Sequence, residues 1–507
     1  MLAPDYLDHA PDRLVLLWQQ VEDDILRDVA RRISKMDTLT PTANWQLWRY
    51  EQTEALRQDV VKKLARYTGK SEAEIRRLMQ EAATRAMEAE DEIYYHYGKE
   101  PTPFADNATL QALLNAGYQQ TAGTFHNLTA TTANTVSGQF EAALDRAHLK
   151  VSSGAFDYKS AIKGAVDSLA DTMKYVTYPT GHTDTLEVAA RRAVLTGVNQ
   201  TAGKLQEARM DEMDCEFVET SAHGGARPSH AEWQGRQFHR GGAVDYMGKH
   251  YPDFYAATGY GTGGGIYGWN CSHTHFAIYP ELGAPPAWTQ ESLEALNARD
   301  IEYNGGKYTR YEISQMQRAR ERTVRKYKRR YLAEDAAGAD TTASAVKLRQ
   351  ARQELSDFIS ATGGRADSAR TSVAGFGRSA SSKASFLARK QERFDAANTE
   401  LQQMRENGII KSTGKLIEAP SAPNELIVNR DHVFQRMIER NMTLADCDKI
   451  IESSKVALSQ WNGGQTVYYS EQGFVAVRAN GVISTLGPLD EGGKKLMEVA
   501  KKHGIPH

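Results

Sequence analysis

Residues 12–33 read DRLVLLWQQVEDDILRDVARRI, and their spacing sets the character of most of the chain. Leu14, Trp18, Val21, Ile25, Val29 and Ile33 recur at three- and four-residue steps, so a helix gathers them into one apolar stripe ringed by charge. Such a helix packs through its stripe. Leu47, Leu56, Val60 and Leu64 predict a second helix. Ser71 followed by Glu74 matches the reciprocal capping pattern of a helix start, so a third is expected to open there, with Ile75, Leu78 and Ala82 inward. The segment 107–140 lacks Asp, Glu, Lys and Arg and keeps Leu, Ala and Phe among many Thr. It reads as helices packed against other protein, in this chain or in a partner. Val188, Ala189, Ala193 and Leu195 mark a further helix over 186–207.

The whole chain has 507 residues, too many for one core and enough for roughly three domains. With 62 Lys+Arg against 64 Asp+Glu it carries a formal net charge of -2, which excludes a uniformly basic nucleic-acid binder and makes any basic function local. Cys215, Cys271 and Cys447 lie far apart and offer no disulfide framework, as expected for folding in a reducing cytosol. The opening MLAPDYLDHAPDRL carries acids where a secretion signal needs a cationic and then an apolar run. The uncharged stretches are rich in Thr, Asn and Gln or in Gly and His, so no membrane span is expected.

Composition changes sharply near residue 220. Six of the 14 histidines fall between His223 and His275, in TSAHGGARPSHAEWQG (220–235) and YGTGGGIYGWNCSHTHFAIYP (260–280) and between them. If the second piece ends in a strand, Cys271, His273 and His275 alternate onto one face. His230 or His223 would then complete a tetrahedral zinc shell of imidazole and thiolate. The spacing matches no recognised finger, and histidine also serves as a neutral hydrogen-bonding residue in loops.

Between Lys307 and Arg330 stand ten Lys or Arg against Glu312 and Glu321, a local cationic helix. Tyr311, Met316, Ala319, Thr323 and Tyr327 are expected to form its packing side. That leaves Arg318, Arg322, Arg325, Lys326, Arg329 and Arg330 to meet the phosphates of DNA by counterion release, or simply to stand in solvent. The stretch SATGGRADSARTSVAGFGRSASSKASFLARK (360–390) shows no sustained helical period before about Phe386 and reads as a tether.

From about Gly408 the pattern becomes mixed. A helix over about 430–440, carried by DHVFQRMIERN (431–441), precedes TLADCDKIIESS, where Thr443 can cap with Asp446. SKVALSQW, QTVYYSEQ, FVAVRAN and VISTLGP then read as strands. Asn462-Gly463 and Asn480-Gly481 are tight-hairpin signals, because these residues accept positive φ. On the first helix His432, Arg436 and Arg440 form one row, with Val433, Phe434, Met437 and Ile438 opposite. An imidazole beside two guanidiniums suits metal-independent RNA cleavage, with His432 moving a proton and the arginines stabilising phosphate charge. Arg478, Ser484 and Thr485 on later strands can add contacts. The same row would equally suit a solvated face of a structural module.

Several separated segments carry a resemblance. VAARRAVLTGVNQTAGKLQ (188–206), TSAHGGARPSHAEWQG, YPDFYAATGYGTGGGIYGWNCSHTHF (251–276) and YEISQMQRARERTVRKYKR (311–329) resemble, in order, the Phage minor capsid protein 2 family, over about residues 1 to 390. The resemblance implies a structural protein of tailed-phage heads, similar to MuF-type head morphogenesis proteins. It would be assembled in the bacterial cytoplasm, held in the head interior, and associated with portal and capsid proteins near packaged DNA. MuF-like relatives often hold Cys-rich pieces where this chain keeps Cys271 with Ser and His nearby. Residues 424–507, with the His-x-x-x-Arg-Met-x-x-Arg helix before four strands, resemble the phage-associated branch of the barnase, EndoU, colicin and RelE-like (BECR) nuclease folds, which implies an RNase or a catalytically silent module of that shape.

The expected architecture is a mainly α N-terminal body with a Gly/His-rich mixed segment, then a small α+β C-terminal domain with an antiparallel sheet of about four strands. The divisions are a helical capsid-protein body (1–210), a Gly/His-rich MuF-like segment (211–300), a basic helix (301–335), a linker or arm with helical parts (336–407) and the C-terminal domain (408–507). Three functions compete: a portal-associated minor capsid protein whose last domain is an effector-like RNase, the same protein with a structural or partner-binding last domain, and a zinc-dependent hydrolase centred on His230, Cys271, His273 and His275 with Glu232 as general base.

Overall fold

A computed structural model describes residues 2–36, 42–153, 157–178, 180–283, 285–421, 423, 425–428 and 431–506. They form two compact units, Met1–Ala380 and Ser381–His507.

The first unit is built on long helices: Asp12–Ser34, Thr42–His96, Ala108–Ser152, Tyr158–Thr172 and Leu186–Glu212. The stripe from Leu14 to Ile33 is wholly buried in their shared core. Trp18 lies at its centre, 5.4 Å from the Phe125 ring. Its indole donates to Ser71 Oγ at 3.0 Å. Ser71 in turn donates to the Tyr67 carbonyl, so it sits inside the 55-residue Thr42–His96 helix, where a helix start was expected. A capping pattern is local and does not prevent a helix from running through it when both flanks bury apolar side chains, as Leu64 and Leu78 do. Segment 107–140 likewise belongs to one 45-residue helix, packed within this chain. Its approach to Leu186–Glu212 is close: a Cβ on Gly117 would stand 2.1 Å from Thr201 Oγ1, and one on Gly197 would stand 2.2 Å from Thr121 Oγ1. Two reciprocal glycine–threonine contacts therefore set the spacing of these helices.

Beyond them, Phe217–Thr220 forms the middle of a three-stranded antiparallel sheet between Gln237–His239 and His275–Ile278. The basic helix, Arg310–Ala336, opens with the Thr309–Glu312 capping box. It turns a different face inward from the one expected: Ile313, Val324, Tyr331 and Leu332 are buried, while Ala319 is exposed. The reason is electrostatic. Arg329 lies 2.8 Å from both Glu22 and Asp23, and Arg325 lies 2.9 Å from Glu187. Arg330 reaches Asp167 at 2.5 Å, and Lys326 reaches Asp171 at 3.1 Å. The helix docks through its cations onto acids supplied by other helices.

The stretch expected to be a linker or arm with helical parts is largely helical, with Thr342–Thr362 and Arg378–Glu406. The last of these begins eight residues before Phe386. Phe394, Ala397 and Leu401 on it enter the core of the second unit, which therefore starts at Ser381 and not near Gly408.

That unit carries a five-stranded antiparallel sheet in chain order: Lys415–Glu418, Val456–Gln460, Gln465–Ser470, Gly473–Arg478 and Ile483–Gly487. Lys415–Glu418 is the strand the sequence pattern did not announce. Alternation sends Val456 and Leu458 to one face, against Leu401 and the C-terminal helix Glu491–Lys502. Ala457 goes to the other, against Cys447 and Ile450 on Leu444–Ser453 and Val433 on Asp431–Glu439. The second unit is thus α+β, with helices on both faces of the sheet. Arg430 lies outside the described residues, so the His432 helix is described from Asp431. Thr443 and Asp446 form the expected capping box. Trp461, Asn462 and Gly463 take positive φ, 51°, 54° and 91°, but the strands pair at Gln460 and Gln465, so this turn is longer than the tight hairpin expected; at the second expected turn Gly481 takes positive φ, 82°. Among the described residues no helix is long and apolar enough to cross a membrane.

Candidate functional site

Two groups of polar side chains stand apart from the packing scheme. The first lies where the Gly/His-rich segment folds back on itself. His230 belongs to the short helix Pro228–Ala231, and Cys271 and His273 precede the strand His275–Ile278. All three are buried. His230 Nδ1 lies 3.3 Å from His273 Nδ1, and Cys271 Sγ lies 3.8 Å and 3.7 Å from these two nitrogens.

The surroundings fix which ring nitrogens carry protons. Nε2 of His230 is 2.8 Å from the Gly264 carbonyl oxygen, which only accepts, so Nε2 is the donor. Nε2 of His273 is 3.1 Å from Gln234 Oε1. The orientation of that amide is itself set: Oε1 accepts from the His223 backbone N–H, while Nε2 donates to Asn297 Oδ1. His273 Nε2 is therefore also the donor. Burial pushes the His230 imidazole down to about 4 and the His273 imidazole well below its ordinary value, and it pushes the Cys271 thiol up. With each Nε2–H committed to an outer oxygen, the two Nδ1 atoms face each other beside a sulfur.

Tight loops shape this site. Gly265 passes so close to the Thr258–Gly259 backbone that a Cβ there would stand 2.0 Å from the Gly259 oxygen, and this winding brings the Gly264 carbonyl to His230. The His223 ring lies against His273, tilted by 37° with ring centroids 4.3 Å apart.

His275, expected with this group, faces elsewhere. Its Nε2 lies 2.9 Å from Glu207 and its Nδ1 lies 2.7 Å from the Tyr267 hydroxyl. The strand begins only at His275, so residues 271–274 lack the alternation that would align all three. Glu207 also accepts from Tyr255 and Arg240. Burial opposes its ionisation, yet His275, Arg240 and Tyr255 together hold its carboxyl at about 2. Glu232 follows the Pro228–Ala231 turn and is exposed, unlike the three buried residues.

The second group lies on the C-terminal unit, where Asp431–Glu439 crosses Ile483–Gly487. His432 Nε2 is 3.4 Å from the Ser484 carbonyl. Arg436 donates to the Thr485 hydroxyl at 2.8 Å, and Arg440 donates to the Leu486 carbonyl. Successive turns of the helix thus address successive residues of the strand. His432, Arg436 and Arg440 are exposed. The Ser484 hydroxyl turns aside, donating to Gln465 at 2.6 Å, and Gln465 is the register partner of Arg478. Arg478 stands over Trp461, 6.0 Å from its ring. His432, Arg436 and Thr485 come together, whereas Arg478 keeps separate company.

Trp461 and Gln465 adjoin Arg478 and Ser484 without having stood out in the sequence. Trp461 is 64% exposed at a hairpin tip. A large aromatic beside Asn-Gly was the available signal, since a turn has no core to bury it. The expected apolar side of the His432 helix is only half buried: Val433 is buried, while Phe434 and Ile438 are exposed.

Of the cations expected to face phosphates, Arg325, Arg329, Arg330 and Lys326 are ion-paired within the first unit. Arg322 is exposed and Arg318 is half-buried.

The sequence model of the family described as Phage minor capsid protein 2 matches residues 2–360. That span falls within the first compact unit and leaves all of Ser381–His507 outside it. No curated protein matches the chain. No solved structure matches it either.

Proposed function

Since the chain belongs to the Phage minor capsid protein 2 family, we propose that its first unit is built into a phage head beside the portal, facing the interior, and that its second unit is an RNA-cleaving domain carried with it. The observation that supports the second part is the strip of exposed His432 and Arg436 over half-buried Thr485, which lies wholly outside the family match.

The chemistry runs without a metal. His432 takes the proton of a ribose 2′-hydroxyl as its oxygen bonds to the adjacent phosphorus. Arg436 and Arg440 offset the charge that grows on the phosphoryl oxygens. The bond from phosphorus to the 5′-oxygen breaks, and that oxygen leaves with a proton from water. The products are a 2′,3′-cyclic phosphate and a 5′-hydroxyl. Trp461 offers a face on which a base can stack, with the Arg478 guanidinium close by on the neighbouring strand.

The test is full-length protein with single-stranded RNA in the presence of a chelator. Fragments ending in cyclic phosphate, absent with His432→Ala, are expected. Intact RNA under all conditions would leave the second unit a structural or partner-binding module. For the first unit, mass spectrometry of purified phage particles should find the chain; its absence from them would refute the head assignment.

A further inference from the structure

We propose that His230, Cys271 and His273 bind one zinc ion, held by the two Nδ1 atoms and Sγ. The carrying observation is a mismatch between donors and acceptors. Each imidazole gives its only proton to a fixed acceptor on the far side, Gly264 or Gln234, and the two remaining lone pairs point at one another across 3.3 Å. Two acceptors at that distance repel unless something positive lies between them. The Cys271 S–H hydrogen can satisfy one nitrogen but not both. A buried acceptor left without a partner is costly, so this arrangement is explained by a shared cation.

The spacings fit the ion quantitatively. Tetrahedral zinc with Zn–N near about 2.05 Å and Zn–S near about 2.3 Å separates its nitrogens by about 3.3 Å and each nitrogen from sulfur by about 3.6 Å. The observed separations are 3.3 Å between nitrogens and 3.7 and 3.8 Å to sulfur. The outer contacts have the form that orients ligating histidines: each ring donates its other N–H to a carbonyl or amide oxygen, so the ligand nitrogen is unprotonated and aimed before metal arrives. One thiol with two imidazoles selects zinc over magnesium or calcium. Three protein ligands leave one position for water.

The role is to fasten the fold. The ion joins the turn that carries His230 to the segment that leads into the central sheet, and its ligands Cys271 and His230 stand 41 residues apart in sequence. The backbone amide of His273 donates to Cys271 Sγ at 3.3 Å, a contact that strengthens on a thiolate. His275 takes no part, because Glu207 and Tyr267 hold its ring.

Full-length protein, stripped with chelator, dialysed against zinc and then freed of excess, is assayed by elemental analysis and circular dichroism. One zinc per chain is expected in the wild type and in His275→Asn. Cys271→Ser and His273→Ala should retain less than about a tenth of it at unchanged helical content. Cobalt in place of zinc should give tetrahedral visible bands and a thiolate charge-transfer band, the latter lost in Cys271→Ser. Folded wild type that keeps no zinc, or that keeps no more than Cys271→Ser does, would overturn the site. A cobalt spectrum without thiolate charge transfer would also overturn it.

Discussion

Arg329 lies 2.8 Å from Glu22, and the pair joins residues 307 positions apart within the interior of the first unit. Asp23 and Glu187 surround the same guanidinium, and together they hold it charged although burial opposes this. Arg329→Met removes a cation shared by three buried carboxylates. It should cost about 3–5 kcal/mol, the usual penalty for orphaning a buried partner. Denaturant unfolding of the full chain measures it. A change within experimental error would mean that the basic helix is held by its apolar residues alone.

The acid limb of stability should report Glu207. Its folded carboxyl sits at about 2, below the usual carboxylate value. A depressed acid stabilises the fold above its unfolded pKa and loses that contribution as pH falls through the folded one. Wild type should therefore lose about 3 kcal/mol from this group between roughly pH 4.5 and pH 2. Glu207→Gln should begin less stable at neutral pH and show a flatter slope over that window. Parallel curves would contradict the assignment. Glu22 has the opposite sign: burial raises it to about 7, so its contribution is present below the ordinary glutamate range and fades as pH rises through 7.

Gly117→Ala tests the glycine–threonine spacing. The added Cβ would meet Thr201 Oγ1 at 2.1 Å, which no rotamer of a closely packed helix pair absorbs freely. A loss of about 1–3 kcal/mol is expected, with partial recovery in Gly117→Ala/Thr201→Ala. Thermal unfolding of the three proteins decides it, and a Gly117→Ala chain as stable as wild type would rule out the close approach.

Trp461→Ala should separate binding from chemistry. If the exposed indole stacks a base, its loss weakens RNA binding by about 1–3 kcal/mol and raises KM with little change in kcat. Equal KM values in wild type and variant would remove Trp461 from the RNA path.

Much of this architecture is legible in the sequence because its signals are local. The stripe from Leu14 to Ile33, the strands between Val456 and Gly487 and the Thr443 cap each depend on neighbours a few residues away. The inward face of the basic helix is not, because its counter-ions, Glu22, Asp23, Asp167 and Glu187, lie on distant helices that no spacing reveals. Ser71 misleads because a capping pattern says nothing of what the preceding turn buries. At the histidine cluster, residue types point to His230, Cys271 and His273, but alternation wrongly enrols His275, since the strand has not yet begun at Cys271. Period-two reasoning holds only inside a strand. On the C-terminal unit the spacing of His432, Arg436 and Arg440 predicts an exposed row, and it is exposed. That Thr485 stands beneath Arg436 follows from how the helix crosses the strand, a tertiary fact.

The most direct test is to produce Ser381–His507 alone, beginning at the compact-unit boundary with its Phe394–Leu401 helix, and to follow both its unfolding and its action on RNA. One cooperative unfolding transition is expected, with chelator-resistant cleavage whose rate falls at least about 100-fold in His432→Ala. A folded fragment that leaves RNA intact, or that cuts it equally well without His432, would contradict the RNA-cleaving role.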